Sequence, residues 1–240
     1  MRRQTFNAGI ILWMLFTNVN NTLASERIVL SSIPSDIWYQ TVYLIADKKS
    51  WMEYENFTVQ IGDMGQYVYN FPDWYHGKYD PYMVKADIND DSLDDIIVVL
   101  NNDNAAIDQP LKDIHILNQI PDPNRRYEEA PIKSISIVLK NKVSIKQFNN
   151  LVSVQIDRKN HTIDLSKYSY VNPRTPYISI ELVDYSIEDG KLYATVPVLI
   201  LRDDSVKGGG IGHIKIRYAW NGKEYIANQL DFLKFTSENQ

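Results

Sequence analysis

A mainly β chain, built from an antiparallel meander and hairpins with at most one or two helices, is predicted by three features of the sequence. β-Branched and aromatic residues gather into short runs, several runs alternate apolar and polar residues with period two, and glycine, Asn-Gly and Asp-Gly turn signals separate them. The 240 residues are 44% hydrophobic and 23% charged, an ordinary globular balance. With no cysteine, disulfides, thiolate metal sites and a cysteine nucleophile are excluded. A formal charge of −5 and a pI near 5.4 lack the basic footprint of a nucleic-acid binder, so no nucleic-acid partner is expected.

Residues 1–24 read as a secretory signal peptide. Arg2 and Arg3 precede the apolar run Ala8–Phe16, and Thr22-Leu23-Ala24 offers small residues for cleavage. Nine apolar residues at ~1.5 Å each reach about half of a ~30 Å hydrocarbon core, so no stable membrane insertion is expected after cleavage. A chain starting at Ser25 has 216 residues. Taking Arg2 and Arg3 from the 25 basic residues leaves 23 against 30 acids, a formal −7. The expected location is extracellular or in the cell envelope.

Along that chain, Asp36–Ile45, Phe57–Ile61 and Gln66–Phe71 read as strands, with Gly62 and Gly65 turning between the last two. Tyr82–Ala86 and the continuous run Ile96–Leu100 follow. A run with no polar alternation implies a strand buried on both faces. Asp113–Leu117 is expected to pair back against it. Pro121, Pro123 and Pro131 bracket a charged stretch, so residues 122–131 read as a linker between a meander, 25–121, and a C-terminal hairpin region, 132–240.

Ile132–Val143 fits both helical and strand spacing, and Pro131 inclines it toward a helix. Strands then follow at Leu151–Ile156, His161–Leu165, Tyr177–Leu182, Lys191–Ile200, Ile214–Trp220 and Glu224–Ile226. Asp189-Gly190 and Asn221-Gly222 join the last two pairs. Ile214, Ile216, Tyr218 and Trp220 share one face, and Lys215 and Arg217 share the other. Pro197 suggests a strand edge or a bulge.

One stretch carries chemistry. From Asp87 to Asp95 there are five carboxylates in nine residues and no base. Counting Asp87 as position 1, oxygen-bearing side chains stand at positions 1, 3, 5 and 9 (Asp87, Asn89, Asp91, Asp95), and Leu93 at position 7 can offer its carbonyl. Hard Ca2+ takes six to eight oxygens at about 2.3–2.6 Å, and alternate residues turned inward can wrap it. A divalent cation would also relieve repulsion among the acids. An EF-hand does not fit, because its twelfth position would be Val98 in an apolar strand.

Ala86–Val98 resembles the calcium-loop element of FG-GAP/VCBS repeats, a DxNxDGxxD loop leading into an apolar strand, found in β-propellers and many secreted bacterial proteins. Position 6 is Ser92, where that family usually has glycine. The resemblance implies Ca2+ ligation by Asp87, Asn89, Asp91, the Leu93 carbonyl and Asp95. It also implies a propeller-blade-like N-terminal half; the C-terminal hairpins are expected to form a sandwich-like half. The element occurs once and spans about 15 residues, too little for a propeller, so a single calcium-stapled hairpin is expected. The signal peptide, the one loop and the Tyr218-Ala-Trp-Asn-Gly-Lys-Glu-Tyr225 hairpin together resemble exported proteins of spore-forming bacteria.

Aromatic residues crowd Phe71–Tyr82, and Trp74, Tyr75, His76 and Tyr79 form a candidate platform for a cell-wall or extracellular glycan or protein. The alternative is that these rings cover one end of the core. His76, His115, His161 and His213 show no HxH or HExxH spacing, so zinc has no local support. Gly208–Gly212 lacks the Lys-Ser/Thr and the helix of a phosphate loop. No GxSxG elbow occurs, and a non-catalytic protein is expected.

Overall fold

The computed structural model describes residues 26–106, 109–122, 124, 126–168, 173–202 and 207–235. The expected leader, residues 1–24, lies outside them. The protein is mainly β, with antiparallel sheets and hairpins. None of the helices among the described residues is long and apolar enough to cross a membrane.

Four strands, β1 (Glu26–Ile33), β2 (Val42–Lys48), β3 (Tyr54–Ile61) and β4 (Tyr67–Phe71), form the first sheet in sequence order. The expected strand at Asp36–Ile45 is only half realised. Residues 34–41 form a loop, with Gln40 N–H donating to the Ile37 carbonyl at 2.8 Å and Ile37 N–H to Ser35 Oγ at 3.2 Å. Pro34 and Asp36 disfavour a strand there. The β3–β4 turn takes positive φ at Gly62 (82°) and Gly65 (67°), the conformation for which glycine carries no Cβ penalty.

The second sheet is β5 (Tyr82–Ala86), β6 (Asp95–Asn101), β7 (Lys112–Gln119) and β8 (Tyr127–Ala130), again in sequence order. Strand β8 lies in the stretch expected as a linker and pairs with β7. Strand β6 is buried on both faces, as its unbroken apolar run predicts. Ile96, Val98 and Leu100 pack with Val42, Leu44, Phe57 and Val59 of the first sheet. Ile97 turns the other way, into a core it shares with Ile116 and the C-terminal strands. Each such side chain contributes about 1.5–3 kcal/mol of burial free energy, so β6 is the element on which both cores depend.

Beyond β8, helix α1 (Ile135–Lys142) buries Ile135, Val138 and Leu139 and runs directly into β9 (Val143–Phe148). Strands β9, β10 (Leu151–Ile156) and β11 (Lys159–Asp164) make a small meander. The last sheet runs β12 (Pro173–Ile178), β14 (Lys191–Arg202), β15 (Lys207–Trp220), β16 (Tyr225–Lys234), with β13 (Asp184–Glu188) also paired to β14.

The strand expected at Tyr177–Leu182 ends at Ile178, and Ile180–Leu182 form a 3-10 turn; β13 is the strand that meets β14 through Asp189-Gly190. Pro197 lies in an interior strand, not at an edge. It sits at the gap where β14 changes partner from β13, paired through Thr195, to β12, paired from Val198, so no ladder bond requires its missing N–H. Its carbonyl accepts from Ser179 N–H at 2.9 Å.

Tyr225 joins the halves. Its N–H donates to the Pro131 carbonyl, and its carbonyl accepts from Lys133 N–H, each at 2.8 Å. Its ring is fully buried.

Candidate metal loop and the adjoining cleft

The loop begins and ends on a strand pair, Ala86 opposite Asp95, so β5 and β6 hold its two ends together. Asp87 gathers the turn: Asp91 N–H donates to its Oδ1 at 3.2 Å and Ser92 N–H to its Oδ2 at 2.9 Å. Asn89 Oδ1 accepts from Asp91 N–H at 3.0 Å, and Asp91 Oδ1 accepts from Leu93 N–H at 2.8 Å. Asn89 Nδ2 also donates to Asp91 Oδ2 at 3.1 Å. Short polar side chains accepting local N–H groups favour such a coil over a tight hairpin.

Two non-glycine residues take left-handed backbone here, Asp90 at φ 66° and Ser92 at φ 67°. Ser92 therefore adopts the conformation for which glycine would be the unstrained choice. The even-numbered Asp90 points away and pairs with Lys191 on β14. The same hairpin brings Gly190 against the loop; a Cβ there would lie 3.2 Å from the Asp87 carbonyl oxygen.

Asp95 differs from the rest. Its side chain is 0% exposed. Oδ1 accepts from Gln119 N–H at 3.0 Å and Oδ2 from Ile88 N–H at 3.3 Å. The Tyr225 hydroxyl stands 3.5 Å from Oδ2, but its single proton goes to Asn118 Oδ1 at 2.8 Å. Among the described residues no cation faces Asp95. Burial pushes its pKa up to about 7, the two backbone N–H groups oppose this, and the charges of Asp91 and Asp87 add to it.

The structure thus brings Asp87, Asn89 and Asp91 together at the loop tip, with Leu93 half-buried beside them and Asp95 at the base. Among the described residues, no three acidic or histidine side chains form a cluster ready to hold a metal ion. The loop oxygens are engaged with the loop's own N–H groups. The donor atoms are all hard oxygens, the kind Ca2+ takes, and no cation stands beside the buried Asp95 among the described residues.

The aromatic segment 71–82 divides between interior and surface. Trp74 is 6% exposed, stacked between Phe71 (ring centroids 4.0 Å) and His115 (3.9 Å), with Nε1 donating to Glu129 Oε1 at 3.2 Å. His76 is 0% exposed and fully engaged. Asn101 N–H donates to its Nδ1 at 3.0 Å, so Nε2 carries the proton and donates to the Tyr79 carbonyl at 2.8 Å, and burial lowers the ring's pKa. Tyr75 is half-buried, with its hydroxyl 3.4 Å from Glu53 Oε1. Only Tyr79, 82% exposed at φ 72°, offers its ring freely. Of the four residues read as a platform, the two most selective are therefore packing residues.

A cleft of about 720 Å3 opens where the first sheet meets the loop. Trp38, Tyr39, Gln40, Gln66, Lys85 and Ser92–Asp94 are among the residues that line it. Trp38 and Tyr39 meet edge to face, with centroids 5.6 Å apart and planes at 88°. Sequence reasoning absorbed these rings into a strand; the turn signal Pro34-Ser35-Asp36 ahead of them is what could have placed them on a loop. Comparison with known protein families, with characterised proteins and with solved structures returns no match.

Proposed function

We propose that this chain is an exported, non-catalytic β protein in which the Asp87–Asp95 loop binds one Ca2+ for structural reasons. The observation that carries the reading is Asp95: a fully buried carboxylate, at position 9 of the loop, with two N–H donors and no cation among the described residues. Burying an unpaired charge is costly, and proteins ordinarily offset it with a partner or a metal. Asp87, Asn89, Asp91 and Asp95 would supply side-chain oxygens and Leu93 its carbonyl. Bound Ca2+ supplies positive charge at that point.

What this chain's own residues contribute is position. Asp87 holds the coil through two N–H groups, Asp90 anchors it to Lys191, and Asp95 reaches the Asn118–Tyr225 pair that joins the halves. Metal at the loop would thereby stabilise the contact between the N-terminal sheets and the C-terminal sheet. Extracellular modules bind Ca2+ at ~10⁻⁴–10⁻³ M, so the site would fill after export.

Calorimetric titration of the chelated protein with CaCl2 tests this directly. One site is expected, lost in Asp87→Ala with Asp91→Ala. Absence of binding heat at millimolar calcium rejects it. Export is tested separately by the mass of the secreted chain, which should begin at Ser25.

A further inference from the structure

The cleft beside the loop is a built binding site of a recognisable kind. Its volume of about 720 Å3 lies within the ~300–1,000 Å3 typical of small-molecule sites. Two large rings line it, Trp38 at 55% and Tyr39 at 42% exposure, where a core would have buried them. Their backbone is fixed: Asp63 N–H donates to the Trp38 carbonyl at 2.9 Å, and Gly62 N–H to the Thr41 carbonyl at 2.7 Å. The rings are therefore presented by a pinned loop, and little ordering cost remains for a ligand to offset.

The polar lining is unspent. Among the described residues, the side-chain amides of Gln40 and Gln66 make no hydrogen bond, and Lys85 and Asp94 form no ion pair although both line the same cleft. Gln66 is held in place by packing over Gly62, whose missing Cβ leaves room for its amide. A side-chain amide carries both donors and an acceptor, which suits hydroxyl groups that are themselves both. One positive and one negative side chain cancel, so the cleft has no charge preference of its own.

Flat apolar faces beside unused amides, with no net charge, match a ligand having apolar ring faces and a hydroxyl rim. We propose that this cleft binds a neutral oligosaccharide, its rings stacked on Trp38 and Tyr39 and its hydroxyls bonded by Gln40, Gln66, Lys85 and Asp94. The site is distinct from the 71–82 segment and does not rest on calcium at the loop.

The test is calorimetry of the purified protein in calcium-containing buffer with chitohexaose, cellohexaose and xylohexaose, and with hexalysine as the counter-probe. At least one hexasaccharide binds. Trp38→Ala and Gln66→Ala each weaken it about tenfold or more, equivalent to ~1.4 kcal/mol, with Tm unchanged because both side chains are exposed. Tyr79→Ala leaves binding intact. Failure of all three sugars to bind, binding that survives both cleft variants, a loss in Tyr79→Ala equal to that in Trp38→Ala, or tighter binding of hexalysine than of every sugar overturns the proposal.

Discussion

Replacing Tyr225 by phenylalanine removes one oxygen from the contact between the N- and C-terminal sheets and leaves the ring in place. In the native protein that hydroxyl donates to Asn118 Oδ1 at 2.8 Å, both residues are buried, and Asp95 lies just beyond at 3.5 Å. Burial and the Asp95 charge raise the hydroxyl's pKa, so it remains a donor across the ordinary pH range. In Tyr225→Phe the Asn118 oxygen is orphaned in a dry site, which costs about 1–3 kcal/mol. For a chain of this size, each kcal/mol moves Tm by ~2–4 °C, so a fall of about 2–12 °C is expected.

Urea unfolding followed by circular dichroism measures the loss, and a double-mutant cycle with Asn118→Ala isolates the pair. Once Asn118 has lost its amide, the second substitution should cost much less than it does alone, giving a coupling of about 1 kcal/mol. A Tyr225→Phe loss below about 0.5 kcal/mol, or strict additivity with Asn118→Ala, would refute the reasoning.

Three further outcomes follow from the packing. Ser92→Gly should raise stability by up to about 1 kcal/mol, because glycine adopts the left-handed backbone without strain, whereas Ser92→Val should lower it; calorimetric melting compares them, and Gly below Val would contradict the loop geometry. Trp74→Ala, deleting a ring stacked between Phe71 and His115, should cost about 3–5 kcal/mol, and Trp38→Ala less than about 0.5; reversal of that order in urea unfolding would mean the two tryptophans have been assigned the wrong surroundings. The Glu129 carboxyl is held below the ordinary glutamate range, chiefly by its contact with the His115 ring. Its contribution to stability is complete above the unfolded pKa near ~4.3 and is lost as pH falls toward the folded value, so Glu129→Gln should flatten the acid limb of a Tm against pH curve.

The elements legible in the sequence were those whose local pattern and tertiary setting agree. Ile96–Leu100 has no polar alternation because both of its faces are covered, and Gly62, Gly65 and Gly190 stand where the backbone needs positive φ. At Ile132–Val143 the spacing fitted helix and strand alike; the helix there is Ile135–Lys142, and it begins after Ser134 rather than at Pro131. Strand β9 was hidden because Val143 follows the helix without a breaking residue, although Val143, Ile145 and Gln147 alternate with exposed neighbours. Residues 36–41 of the loop were read as the start of a strand because Trp38, Tyr39, Val42 and Leu44 carry the same β propensity, while only the last two are covered by another layer.

For the Asp87–Asp95 loop, residue spacing grouped Asp87, Asn89 and Asp91 but could not show the burial of Asp95, which depends on Gln119, Asn118 and Tyr225 arriving from strands far away in the chain. The cleft was beyond reach for the same reason. Trp38, Gln66, Lys85 and Asp94 share no local spacing and become neighbours only when the first two sheets pack. In the 71–82 segment, composition counted rings without revealing that His115 and Phe71 cover both faces of Trp74.

Calcium-dependent melting is the most direct measurement. At a calcium concentration 100 times the dissociation constant, binding to the folded chain alone adds about 2.7 kcal/mol, which for this size raises Tm by ~5–11 °C over the chelated protein. Asp87→Ala with Asp91→Ala should abolish that difference. A wild-type Tm that is the same in chelator and in about 100 mM calcium, a hundredfold above a dissociation constant of ~10⁻³ M, would contradict calcium binding at the Asp87–Asp95 loop.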